Sequence, residues 1–128
     1  MEVILTIEEL KVLCREWQKR LHLENWNIMV DIKRGYEFDL DDCQGEIHYH
    51  LSSAEACISI RANCDWPTDT PFKQDMEKTL VHELLHIPMG IFEPDEDDEP
   101  IKHDLWEQFI ETMARNLINI KREAGQAV

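Results

Sequence analysis

Leu10, Leu13, Cys14, Trp17 and Leu21 recur at helical spacing behind Thr6-Ile7-Glu8-Glu9, a capping-box sequence, so a helix is predicted over residues 7–22. The period then changes. Trp26-Asn27-Ile28-Met29-Val30-Asp31-Ile32 is β-prone and alternating, as a half-buried strand should be. Gly35 and the acidic stretch Asp39-Leu40-Asp41-Asp42 mark a loop. Residues 45–51 and 55–61 read as two more short strands joined by Ser52-Ser53, which predicts an antiparallel three-stranded unit.

Helical spacing returns in the second half. Trp66-Pro67 through Pro71 forms a connector, and Thr70 followed by Pro71 offers an N-cap with proline in the first turn. The helix expected from there spans about 71–87 and stops at Pro88 and Gly90. Met76, Leu80, Val81, Leu84, Leu85 and Ile87 nearly surround it, which marks it as buried. An acidic loop, Glu93-Pro94-Asp95-Glu96-Asp97-Asp98-Glu99, leads to Pro100 and a final helix to about residue 122. Its expected apolar face is Trp106, Phe109, Ile110, Met113, Leu117 and Ile120. The order α-β-β-β-α-α, without repeat or linker, predicts one α+β domain over residues 1–128.

Composition narrows the function classes. The chain has 128 residues, enough for a core without staples, and a net charge of −14. Phosphate backbones and anionic membrane surfaces are recognised by Lys and Arg clusters, so neither nucleic acid nor membrane is an expected partner. Met1-Glu2-Val3 opens no signal-peptide pattern and no run reaches transmembrane length, so a soluble, cytoplasmic protein is expected. Cys14, Cys43, Cys57 and Cys64 form no C-x-x-C pair and are expected reduced, with Cys14 and Cys57 as small core residues.

The chemistry concentrates in His82-Glu83-Leu84-Leu85-His86. Residues four apart share a helix face, so both imidazoles can reach one ion, and neutral imidazole suits zinc. Glu83 projects near the same face, where it can take a proton from a metal-bound water. Burying two imidazoles and a carboxylate without partners costs several kcal/mol, roughly, and a metal removes that cost. A catalytic zinc needs a third protein ligand. The candidates are the acidic loop, His103, Glu107 and Glu111. Loop carboxylates are poorly fixed, and the last three lie along one side of the final helix. Glu107 sits at the margin of the apolar face and fits best as the ligand. Glu111 lies further out, with Arg115 as a surface partner, and would orient a ligating histidine. His48 and His50 share one side of a strand and read as a polar sheet face, although with Tyr49 and His103 they are also candidates for stabilising an oxyanion.

The H-E-x-x-H run, followed after a loop by a helix bearing Glu107-Gln108-Phe109-Ile110-Glu111, resembles the gluzincin zinc metallopeptidases, above all their small single-domain members, the minigluzincins of bacteria and phages. The resemblance covers mainly residues 71–120. It implies Zn2+ held by His82, His86 and Glu107, Glu83 as general base, and hydrolysis of a peptide or protein substrate. The family's E-x-x-x-D places an aspartate where this chain has Glu111, a departure in residue type. The SprT-like group, in which a third histidine serves, keeps His103 as the alternative ligand. A peptide is expected to lie along a sheet edge, with residues 55–61 as the candidate edge. The alternative in another class is a non-catalytic zinc-binding regulatory or protein-interaction module on the same fold. An intact Glu83 argues against it.

Overall fold

Three helices and a three-stranded sheet make up the chain in a computed structural model that describes residues 1–40 and 42–126; Asp41 of the expected acidic loop lies outside the described residues. Helix α1 spans Ile7–Arg20 and starts on the expected box: the Glu9 amide donates to Thr6 Oγ1 at 3.2 Å and the Thr6 amide to Glu9 Oε1 at 2.9 Å. It buries Leu10, Cys14 and Trp17. Strands β1 (Asn27–Lys33), β2 (Gly45–His50) and β3 (Glu55–Arg61) follow, then α2 (Met76–Met89) and α3 (Pro100–Gln126). The class is α+β, as expected.

The sheet departs from the expected antiparallel unit. Its order is β1-β3-β2, with β1 parallel and β2 antiparallel to β3. Strand β3, the expected edge, is therefore central, and β2 is an edge. Alternation specifies which face of a strand is buried, not which neighbour it pairs with. The register satisfies the faces: Val30 stands beside Ile58, and Ile58 beside Ile47, in one apolar row. Cys57 falls on the opposite face and is exposed, so it is not the expected core residue, whereas Cys14 is buried. Burial also pushes the Cys14 thiol up to about 11.

Helix α2 starts later than expected. Val3 accepts from the Met76 amide and donates to the Gln74 carbonyl, both at 2.9 Å, which draws residues 74–76 out straight beside the N-terminal segment. Thr70 thus caps nothing helical. Asp75 is the N-cap, its Oδ1 accepting from the Lys78 amide at 3.1 Å. The helix also runs past Pro88 to Met89, because proline in the last turn removes one donor without ending the coil. Met76, Leu80, Val81 and Leu84 are at most 1% exposed, at the centre of the core. The α3 face is rotated from the expected one: Ile110, Ala114 and Ile118 are buried, while Phe109 and Ile120 are exposed. No helix among the described residues is long and apolar enough to cross a membrane.

Candidate metal centre

The rotation of α3 decides what faces His82 and His86. Ile110, Ala114 and Ile118 dock α3 in the core, which carries Glu107 and Glu111 over the exposed side of α2. Glu107 spans both histidines, with Oε2 3.0 Å from His82 Nε2 and Oε1 3.2 Å from His86 Nε2. One ligand atom from each of His82, His86 and Glu107 can be chosen so that all lie within 4.8 Å of one another. Glu111 takes the other side of the same ring, its Oε1 3.0 Å from His82 Nδ1. It lies deeper than Glu107, contrary to the sequence expectation, with side chains 24% and 48% exposed respectively.

Charge is distributed to match. Burial works against a charged His82, but the Glu107 and Glu111 carboxylates outweigh it and hold the imidazole at about 9. Glu107 is drawn down to about 2, first by His82 and then by His86. Burial pushes the Glu111 carboxyl up, but His82 and Lys78 overcome it and bring it also to about 2. A carboxylate at each ring nitrogen favours the charged form of His82, so the geometry suits a positive charge at this point. Two imidazole nitrogens and one carboxylate oxygen are the donors of a catalytic zinc site, and the residues present fit that ion.

Glu83 is different. Its side chain lines the cleft beside these groups, is 7% exposed, and has no hydrogen-bond or ion-pair partner among the described residues. Burial raises its carboxyl above the ordinary value against the pull of His82 and His86. The residue is buried but its oxygens are not: they open onto the cleft, where they can take a proton from whatever occupies it. Gly45, at the start of β2, leaves it room: a Cβ there would stand 3.3 Å from Glu83 Oε2 and 2.7 Å from Thr79 Cγ2.

His103 does not join the centre. Its Nε2 lies 2.9 Å from the Asp95 carbonyl, in the acidic loop. His48 and His50 are exposed on the other face of β2. Asp39 and Glu46 cluster with His48, and Lys33 stands 3.5 Å from Glu46. Tyr49 lines the cleft, its hydroxyl packed so closely on Gly90 that a Cβ there would come within 2.6 Å. Sequence reasoning assigns no place at this centre to two residues: Lys78, and Trp106, which is expected only on the apolar face of the final helix. Lys78 Nζ pairs with Glu111 Oε2 at 2.9 Å and so backs the carboxylate that holds His82. Trp106 sets its ring edge-on to His86, with centroids 4.9 Å apart. Lys78 was findable, since 78, 82 and 86 repeat at four-residue spacing on one helix face.

His82, Glu83, His86, Glu107 and Glu111 line an open cleft of about 730 Å³ between β2, α2 and α3. No protein-family model matches the chain, and neither does any curated protein or solved structure.

Proposed function

We propose that this chain is a zinc-dependent metallopeptidase of the minigluzincin kind. One observation carries the reading: Glu107 bridges the Nε2 atoms of His82 and His86 beside a buried, unpartnered Glu83 in the same cleft. Zinc bound there would supply Lewis acidity, acidifying a coordinated water and polarising a peptide carbonyl. Glu83, raised by burial, takes a proton from the attacking water at its carboxylate and returns it to the leaving amine nitrogen. Glu111 accepts from His82 Nδ1, which would leave Nε2 to hold the ion, and Lys78 fixes Glu111 in turn. Strand β2, an edge strand that lines the cleft, offers a free backbone edge on which an extended peptide can lie as an added strand.

The test joins metal content with turnover. Protein equilibrated with zinc and dialysed should carry about one ion per chain, and it should cleave unfolded proteins in a chelator-sensitive manner. Glu83→Gln keeps the shape and the metal but removes the base, so cleavage should fall by roughly 10²–10⁴-fold. Folded protein that takes up no zinc refutes the reading, as does chelator-sensitive cleavage undiminished in Glu83→Gln. Zinc bound with no cleavage of any substrate would transfer the site to the non-catalytic binding module.

A further inference from the structure

The same cleft has a charge that the hydrolytic residues do not use, and the inference rests on the metallopeptidase reading for its setting. No Lys or Arg lines the cleft among the described residues, while Glu46, Glu93 and Asp104 join Glu83, Glu107 and Glu111 around it. Several of these charges are balanced. Glu111 has Lys78 at 2.9 Å and Glu46 has Lys33 at 3.5 Å. A dipositive ion would offset Glu107 and Glu83. Glu93 and Asp104 remain, and neither has a hydrogen-bonded or ion-paired side chain among the described residues. Both lie towards the C-terminal end of α2. Asp104 stands one turn before Glu107 on α3, and Glu93 follows the short turn Gly90–Phe92 closely enough to raise the Tyr49 hydroxyl, secondarily to its burial. Glu83, 7% exposed overall and without a hydrogen-bonded partner among the described residues, opens its carboxylate onto the same cleft.

We infer that the enzyme selects cationic peptides, with an Arg or Lys side chain beside the scissile bond held between Glu93 and Asp104 at the Tyr49 end of the cleft. Away from the metal centre, an acidic peptide meets Glu93 and Asp104 with no Lys or Arg of the cleft lining to receive it among the described residues, and like-charge contact is an effective way to reject a wrong partner. The chain's charge of −14 reinforces the choice by drawing cationic chains in and holding anionic ones off.

Two fluorescent peptides of equal length, one with Arg and one with Glu flanking a common neutral centre, supply the test on zinc-loaded protein. Binding is read by anisotropy and cleavage by chromatography. The Arg peptide should bind about ten-fold or more tighter in low salt, with the ratio shrinking as ionic strength rises. Glu93→Gln with Asp104→Asn should cut that ratio several-fold. Glu8→Gln with Glu24→Gln, an equal charge change at exposed positions on the other side of the chain's sequence, should leave it. Equal binding of the two peptides overturns the inference, and so does a ratio that both double variants lower alike. Because binding is read separately, absence of cleavage with an intact ratio condemns the hydrolytic reading alone, and cleavage without a charge ratio condemns the selectivity alone.

Discussion

Glu107 and Glu111 are one turn apart on α3 and carry the same functional group, yet they meet opposite nitrogens of His82. On the proposed reading, that difference separates a ligand from the group that aims a ligand. Removing Glu107 deletes a donor atom, so Glu107→Ala should weaken zinc binding by roughly 100-fold or more, measured against a chromophoric chelator. Glu111→Ala leaves all three donors and frees the His82 ring to turn, a loss of about 10- to 100-fold. His103→Ala should leave affinity unchanged, since that ring is engaged with the Asp95 carbonyl. If His103→Ala alone strips the metal, the three-histidine arrangement is correct and Glu107 is displaced as ligand.

At the scale of elements, the most informative contrast is between Thr70 and Asp75. Sequence grammar favours Thr70-Pro71 as a helix start, and the chain ignores it because Val3 pairs with residues 74–76. Asp75 caps α2 and also receives both guanidinium nitrogens of Arg122, at 2.8 and 3.0 Å. Asp75→Ala should therefore cost about 1–3 kcal/mol, the loss of a cap plus a half-buried ion pair. Thr70→Ala should stay within about 0.5 kcal/mol, both read from urea midpoints. The contrast also marks where the sequence is legible. Helix existence, the α1 cap and the buried stripe of α2 are local properties, written in spacing that one segment carries alone. So is the convergence of His82 and His86. The rotation of α3, the depth of Glu111, the order of the strands and the start of α2 depend on distant partners such as Ile110 against the core and Val3 against Met76. Periodicity in one segment does not record those. Glu107 was within reach only because a residue at the margin of an apolar face stays near it under modest rotation.

For the whole molecule, the ends of the chain are tied by a buried charge. Glu77, 6% exposed on α2, accepts from Trp17 Nε1 of α1 at 2.8 Å and pairs with Lys121 and Arg122 of α3. Burial pushes its carboxyl upward, but Lys121 and Trp17 prevail and hold it below the ordinary 4.5. A carboxyl depressed in the folded state contributes stability that is complete above its unfolded value and is lost as pH falls through the folded one. Metal-free protein should thus keep the Glu77 contribution from neutrality down to about pH 5 and lose it below. Glu77→Gln should destabilise clearly near neutrality and progressively less as pH falls through the lowered Glu77 value, as followed by thermal unfolding at each pH.

The central place of β3 has a temporal consequence. Strands β2 and β3 are joined by the short turn around Ala54, which adopts a positive φ of 52°, so their pairing closes a small loop. Strand β1 must wait for the β3 edge to exist, and its parallel pairing, Val30 beside Ile58, closes a much longer loop across the whole hairpin. The hairpin is then the nucleus and β1 the late arrival. Ile47→Val in the hairpin should chiefly slow refolding, whereas Val30→Ala in β1 should chiefly hasten unfolding, a difference visible in the two arms of a denaturant chevron. On this order of loop closure, the strand that borders the cleft is expected among the earliest parts of the chain to take shape.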